Sequence, residues 1–239
     1  MNRILAVLIL AALLSLAGCS GGAGGSYILG SKLQYSQTFD DPAAIGDFEF
    51  SDMTNWTLSS KEIDPNDFVL EASGKSGYKP AVRSPRVIAM LSDRVFGDFV
   101  MEVDILQTGG EYAHRDMCIF FGIRDASHFY YAHIASVPDE VSHMIHIVDG
   151  ADRRPIATSR TEGIEWGDNQ WHTVKIIRRM DGPIKIFFDD LKEPILTADD
   201  STFMAGYIGF GSYDDSGKID NIKIYARDML KKKSRVFEK

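Results

Sequence analysis

Polar side chains that could bind or cleave a sugar recur at alternate positions of apolar segments. Glu102 and Asp104 lie two residues apart in the segment FVMEVDIL, and Tyr131 and His133 lie two residues apart in FYYAHI. Alternate residues of a β-strand point to the same face of its sheet. Each pair therefore predicts two functional groups side by side on one surface. There, an aromatic ring can pack on a sugar ring while polar groups bind its hydroxyls.

Glu102 and Asp104 also have the spacing of a catalytic carboxylate pair. Positions i and i+2 of a strand lie about 6.6–6.8 Å apart, which falls within the roughly 6.5–9.5 Å that inverting glycoside hydrolysis requires. The Glu-x-Asp pattern resembles the motif of jelly-roll glucanases, but that motif continues with a further carboxylate and Leu106 stands at its place here. We therefore favour the interpretation that these are ordinary outward-facing acids.

The alternation of the strands predicts a shared outer face for a larger set of side chains. With the alternating aliphatic residues in the core, that face is expected to carry Glu102, Asp104, Phe120, Tyr131, His133, His146, Lys175 and Lys185. At the start of the strand that follows Gly109-Gly110, Arg115 could clamp a uronate or sulfate in a bidentate contact, or simply pair with Asp116. The residues that we predict to bind an oligosaccharide or polysaccharide are Arg115, Asp116, Tyr131, His133, His146 and Lys175.

The histidines are concentrated in one part of the chain. Five of the six fall between residues 111 and 147, namely His114, His128, His133, His143 and His146. No HxH or HxxxH run is supported by nearby acids in a recognisable motif, so the spacing does not predict a zinc site. Cys118 lies between Met117 and Ile119 and is interpreted as a small packing residue.

About a dozen short apolar segments, separated by turn residues, predict an all-β sandwich. Among them, segments 99–106, 117–123 and 129–134 are expected to be three neighbouring strands. Asp181-Gly182-Pro183 predicts a hairpin between segments 171–178 and 184–189. A helical period is nearly absent.

The composition fits a folded domain and argues against nucleic-acid partners. The chain has 239 residues, of which 44% are hydrophobic and 25% are charged, as in ordinary globular proteins. Its formal net charge of −8 would repel the phosphates of a nucleic acid.

The N-terminus has the pattern of an export signal. Arg3 precedes an apolar run over 4–16 that only Ser15 interrupts and that is too short to span a bilayer. The run ends in Leu16-Ala17-Gly18-Cys19, which resembles the lipobox of bacterial lipoproteins. The resemblance implies cleavage before Cys19 and acylation of that residue, which would anchor the protein in a membrane. Ser20 replaces the Asp of the inner-membrane retention signal, so the outer membrane of the cell envelope is expected.

Three segments resemble the concanavalin A-like (laminin G-like) jelly roll. They are GDFVMEV at 97–103, WHTVKI at 171–176, and GYIGFG at 206–211 with IDNIKI at 219–224. The resemblance implies a jelly-roll sandwich of two antiparallel sheets over 33–226, and it is nearest to bacterial secreted domains of the 3-keto-disaccharide hydrolase-like family. This chain departs from the family pattern at Gly122, where an Arg is usual, and at Tyr130-Tyr131-Ala132-His133, which lacks a carboxylate.

The chain is thus expected to comprise a signal peptide (1–18), a lipidated Cys with a flexible linker (19–32), the jelly roll (33–226) and a solvated basic tail (227–239). Glycan binding is the favoured function. A glycosidase of the keto-sugar type, with Tyr131 and His133 as acid and base, and a structural lipoprotein without a small ligand are the alternatives. Because many jelly rolls join their first and last strands through calcium, Asp40 (or Asp41) and Asp220 are candidates for a structural calcium site. The alternative is that they are turn-forming acids without an ion.

Overall fold

The computed structural model describes residues 28–238, which contain eighteen strands numbered here in chain order. Sheet A consists of β1 (Lys32–Gln37), β3 (Trp56–Ser60), β4 (Phe68–Ala72), β7 (Phe99–Gln107), β12 (Ala157–Arg160), β13 (Trp171–Arg178), β14 (Pro183–Phe188), β15 (Leu196–Asp199) and β17 (Gly217–Ala226). Sheet B consists of β2 (Phe48–Phe50), β5 (Val87–Leu91), β8 (Asp116–Asp125), β9 (His128–Ala135), β10 (Met144–Asp149), β11 (Arg154–Pro155) and β16 (Tyr207–Ser212). A small ribbon pairs β6 (Arg94–Val95) with β18 (Leu230–Lys231), and two 3₁₀ turns cover Pro42–Asp47 and Met53–Asn55.

The strand order is that of two antiparallel sheets packed face to face. Sheet A runs β12-β15-β14-β13-β7-β17-β4-β3, with β1 added along β17, and sheet B runs β11-β10-β9-β8-β16-β5-β2. This confirms the predicted all-β jelly-roll sandwich. The bounds of β13 are those that the sequence predicts, because its residues alternate between turns at both ends.

Alternate side chains of the two sheets fill the space between them. Met101 and Val103 of β7 meet Ile119 and Phe121 of β8 in one buried cluster. Phe99 contacts Phe121 edge to face, with ring centroids 6.4 Å apart. Each such side chain contributes about 1.5–3 kcal/mol when fully buried, so this layer supplies most of the driving force that holds the sheets together.

The expectation that 99–106, 117–123 and 129–134 are three neighbouring strands is wrong. β7 lies in sheet A between β13 and β17, whereas β8 and β9 pair with each other in sheet B. The segment with Gly109 and Gly110 is therefore a crossing between the sheets and not a hairpin. Both arrangements bury one apolar face of β7, so the alternation of its residues cannot distinguish them.

The outer face of sheet B is also buried, and residues from outside the sheet cover it. Phe120, Phe129 and Tyr131 form a second cluster against which Val82 and Phe237, among others, are packed. Part of the cover is the C-terminal segment, which was expected to be solvated. Its backbone joins the sandwich through Ser234 N, which donates to Ser92 O at 2.6 Å, and the Phe237 ring contacts Tyr78 at 5.5 Å.

No helix within residues 28–238 is long and apolar enough to cross a membrane. The predicted leader, Cys19 and most of the linker lie outside the described residues.

Candidate functional site

A polar pocket of about 440 Å³ opens at the edge of sheet B where β8 begins and β9 ends. We call it the His133 pocket. It is lined by Arg83, Tyr112, His114, Asp116, His133, Val141, Arg153, Tyr213 and Asp214. The structure therefore brings together two of the predicted binding residues, Asp116 and His133, with two arginines and two tyrosines that the sequence analysis did not single out. Such a mixture of charges and rings suits a hydroxyl-rich or anionic ligand.

His133 is a buried imidazole with a carboxylate beside it. Its Nδ1 lies 3.0 Å from the carbonyl oxygen of Val141, which can only accept, so Nδ1 carries a proton. Its Nε2 lies 3.3 Å from Asp116 Oδ2. Burial acts to lower the pKa of His133, but the charge of Asp116 and the hydrogen bond to the Val141 carbonyl outweigh it, so the pKa is raised. A charged imidazolium beside Asp116 is the form that this arrangement favours.

Asp116 is held in place from three directions. Its Oδ1 accepts from the backbone N of Tyr213 at 2.9 Å and from the thiol of Cys118 at 3.4 Å. Its own backbone N donates to Asp215 Oδ2 at 2.8 Å. Burial raises the pKa of the Cys118 thiol, and Asp116 beside it raises it further. Asp116 thus connects β8 to the Tyr213–Asp215 segment beside the pocket.

Tyr131 and His146 lie deeper than the pocket and are fully buried. Their rings stack with centroids 4.8 Å apart, and Arg153 Nη1 donates to the Tyr131 hydroxyl at 3.1 Å. Burial lowers the pKa of His146 to about 2, and the charges of His133 and Arg153 contribute. The expectation that the Tyr131 ring is an open platform for a sugar is not met, because the imidazole and the residues that cover sheet B occupy that surface.

Arg115, which was expected to bind a uronate or sulfate group, does not line the His133 pocket. Its guanidinium donates to the side chain of Gln107 and, at 3.2 Å, to the Gln107 carbonyl. It belongs to a neighbouring cleft of about 590 Å³. The residues that line this cleft, called here the Arg115 cleft, are Glu111, Tyr112, Ala113, Arg115, Ser136, Val137, Ile164, Glu165, Trp166 and Gly167.

Tyr112 lines both the Arg115 cleft and the His133 pocket. Its side chain is 47% exposed, and it is the only exposed aromatic residue among residues 28–238. Its hydroxyl donates to Asp215 Oδ1 at 2.5 Å, which fixes the direction of the ring. Sequence reasoning missed it because it follows a Gly-Gly turn outside any strand; an aromatic residue in a functional-looking loop was the available signal.

Lys175 does not share a face with Tyr131, His133 and His146. It lies on β13 of sheet A opposite Glu102 of β7, with its Nζ 3.9 Å from Glu102 Oε1. Both sets of side chains point away from the core, but on opposite sides of the sandwich. The strand parity was correct, but the expected shared face was not, because β13 belongs to sheet A and β9 and β10 belong to sheet B.

The predicted calcium residues each have protein partners. Asp220 Oδ2 lies 2.5 Å from the Lys61 ammonium, and Asp220 Oδ1 accepts from the backbone N of Asn221 at 2.7 Å. Asp40 accepts from the hydroxyl of Thr38 at 2.8 Å and from the backbone N of Phe68 at 3.3 Å. A calcium ion there stays a prediction, and it would have to displace Lys61 from Asp220.

No model of a known protein family and no curated protein matches this chain. Among solved structures, the carbohydrate-binding module CBM66 from Bacillus subtilis is similar at 18% identity and a TM-score of 0.54, over 75% of this chain and 96% of that chain. A Bacillus subtilis protein of unknown function with a galectin-like fold is similar at 12% identity and a TM-score of 0.53, over 84% of this chain and all of the other. The GH43 protein BlXynB from Bacillus licheniformis has 9% identity and a TM-score of 0.53, over 81% of this chain and 39% of that longer one. At these identities the similarity shows the jelly-roll fold.

Proposed function

We propose that this protein is a lipid-anchored glycan-binding module of the bacterial cell envelope, with its oligosaccharide site around Tyr112. The observation that carries the proposal is the position of this ring, half-exposed and oriented by Asp215, between the Arg115 cleft and the His133 pocket. A fixed, exposed aromatic ring provides the flat apolar face that packs on the C–H face of a sugar. The similarity in fold to a carbohydrate-binding module supports the same ligand class.

The two flanking cavities supply the polar contacts that an oligosaccharide needs on either side of the ring. The Arg115 cleft offers the carboxylates of Glu111 and Glu165, and the His133 pocket offers Arg83 and Arg153. Carboxylates accept from sugar hydroxyls, and guanidinium groups can donate to hydroxyls or to acidic substituents. A chain of several sugar units across Tyr112 would therefore meet both carboxylate acceptors and guanidinium donors.

A glycan array with the full chain, purified in detergent, tests the proposal. The wild type is expected to bind a defined set of glycans, and Tyr112→Ala should reduce binding at least about tenfold, which corresponds to about 1.4 kcal/mol. Met204→Ala is the matched control, since Met204 is 55% exposed and precedes Tyr207, which pairs with Ile123 near the far end of β8. Equal binding by the wild type and Tyr112→Ala would place the glycan site elsewhere.

The membrane anchor is proposed from the Leu16-Ala17-Gly18-Cys19 motif, in which Cys19 would carry the acyl chains. Each buried methylene contributes about 0.8 kcal/mol to membrane binding, so several chains would hold the protein firmly. Cys19→Ser should move the protein from the membrane fraction to the soluble fraction after a carbonate wash. A variant that stays with the membrane would contradict the anchor.

A glycosidase of the keto-sugar type is the second candidate, and the His133–Asp116 pair favours it. A charged imidazolium that lines a pocket can donate a proton to a leaving group. Hydrolysis of 3-keto-disaccharides by the wild type, and its loss in His133→Gln, would support this activity. If the protein binds a glycan but does not hydrolyse it, the glycosidase proposal fails and the binding-module proposal is retained.

A further inference from the structure

We propose that Asp116, Cys118 and His133 bind a divalent transition-metal ion, and that Zn²⁺ suits them best. One ligand atom from each of the three side chains lies within 4.8 Å of the other two. Imidazole, thiolate and carboxylate are the three ligand types found in zinc sites, and a thiolate disfavours the hard ions Mg²⁺ and Ca²⁺. Tyr112 is not among the three ligands, but Asp116 and His133 line the His133 pocket together with it, so the ion would lie beside the proposed glycan contact.

Asp116 lies at the distance of a tetrahedral neighbour from each of the other two ligands, through one carboxylate oxygen in each case. Bonds of about 2.0–2.3 Å to a tetrahedral zinc ion place neighbouring ligand atoms about 3.3–3.7 Å apart. Here His133 Nε2 lies 3.3 Å from Asp116 Oδ2, and Cys118 Sγ lies 3.4 Å from Asp116 Oδ1. All three ligand atoms lie within 4.8 Å of one another, so an ion could enter if the Asp116 carboxylate and the Cys118 side chain turn towards it.

The pairing of β8 with β9 explains why the three groups converge. Cys118 and His133 are directly opposite each other in the register of the two strands, and Asp116 precedes Cys118 by two residues, so it points to the same face. The spacing between 118 and 133 belongs to no zinc motif. A ligand set that is completed by strand pairing has no signature in the linear sequence.

An unsatisfied atom supports the site independently. His133 Nε2 is buried, and its contact with the Asp116 carboxylate at 3.3 Å lacks the geometry of a hydrogen bond. Buried polar side-chain atoms normally have a partner, and one without a partner costs free energy. Coordination of a metal ion by this nitrogen would provide the missing partner.

The surrounding charges set the conditions for binding. Asp116 and the nearby Asp215 attract a cation, whereas the guanidinium of Arg153 opposes it. Binding requires the Cys118 thiol and the His133 imidazolium each to release a proton. Since Asp116 and His133 line the His133 pocket, a water molecule from the pocket can provide the fourth ligand.

The test uses the full chain, purified in detergent without a histidine tag and stripped of metal with a chelator. Titration with Zn²⁺ in a calorimeter should show one saturable site per chain, and Co²⁺ should give a thiolate-to-cobalt charge-transfer band in the near ultraviolet. Cys118→Ala should abolish that band and weaken Zn²⁺ binding at least about tenfold. His133→Gln should weaken Zn²⁺ binding by a similar factor.

His146→Phe is the matched control, because it changes a buried histidine of the same sheet face that lies outside the cluster. It should bind Zn²⁺ like the wild type, and the circular dichroism of all variants should show the native fold. Absence of saturable binding to the wild type would overturn the proposal. So would unchanged affinity in a folded Cys118→Ala variant, since the ion would then bind elsewhere. Glycan binding is measured separately with the metal-free wild type and with Tyr112→Ala, so a failure of the metal site can be distinguished from a failure of the glycan site.

Discussion

The ring of Tyr131 stacks on the imidazole of His146, 12° from parallel, in the interior of the outer layer of sheet B. The two residues are directly opposite each other on β9 and β10. The imidazole thus takes the place that a sugar ring would need on Tyr131. The pair is a packing element under the residues that cover sheet B, and the surface available to a ligand begins at the His133 pocket and Tyr112.

Tyr131→Ala is expected to lower the free energy of unfolding by about 3–5 kcal/mol, as is typical when a buried aromatic ring is deleted. Tyr112→Ala, which deletes a half-exposed ring and one hydrogen bond, should cost about 1 kcal/mol. Denaturant unfolding of both variants measures the difference. A Tyr131→Ala protein as stable as the wild type but unable to bind glycan would instead make Tyr131 a ligand residue.

His146 should make the protein sensitive to acid. Its pKa is lowered to about 2 in the fold, against about 6.5 in an unfolded chain, so the unfolded chain takes up the proton first. The stability is therefore fully present above pH 6.5 and is lost as the pH falls towards the folded pKa, by about 1.4 kcal/mol per pH unit. Unfolding free energies of His146→Phe should fall less steeply below pH 6.5. The variant keeps the contribution of His143, whose pKa is lowered to about 4 mainly by burial. The same fall of the unfolding free energy below pH 6.5 in the variant and the wild type would contradict the prediction.

His133 should have the opposite pH dependence. Its pKa is raised in the fold because the charge of Asp116 and the hydrogen bond to Val141 outweigh burial. Its contribution to stability is then fully present below about pH 6.5, the unfolded value, and is lost as the pH rises through the folded pKa. In the presence of a chelator, the stability difference between the wild type and His133→Gln should shrink from pH 6 to pH 9. A difference that stays constant or grows would show that His133 is neutral in the fold.

The sequence predicted the strands well and their distribution between the sheets poorly. Segments such as β13 alternate over eight residues between clear turns, so local pattern decides them. By contrast, β8 is buried on both faces from Asp116 to Ile123, because Phe237 and its neighbours cover the outer side. Such a cover comes from residues distant in the sequence, about thirty positions away for Val82 and more than a hundred for Phe237, which no local pattern reveals.

The candidate site was predicted in part for the same reason. Strand parity correctly put Tyr131, His133 and His146 on one face, since it needs only the alternation along β9 and β10 and the pairing of the two strands. It could not tell that Lys175 lies on the opposite side of the sandwich. It also gave no information on Tyr112, whose importance comes from the two cavities that meet at it.

Lys61 is the group on which the calcium prediction can be tested. Its ammonium lies between Asp67 Oδ2 at 2.8 Å and Asp220 Oδ2 at 2.5 Å, and burial raises the pKa of Asp220. Lys61→Met leaves the buried Asp220 without its cation, so we expect the free energy of unfolding to fall by about 1–3 kcal/mol. If the acidic groups bind calcium, millimolar Ca²⁺ should raise the melting temperature, and more so in Lys61→Met, where no ammonium competes with the ion. Asp220→Asn should remove the calcium effect, and melting curves that are the same with calcium and with chelator in both the wild type and Lys61→Met would refute a calcium site at Asp40 and Asp220.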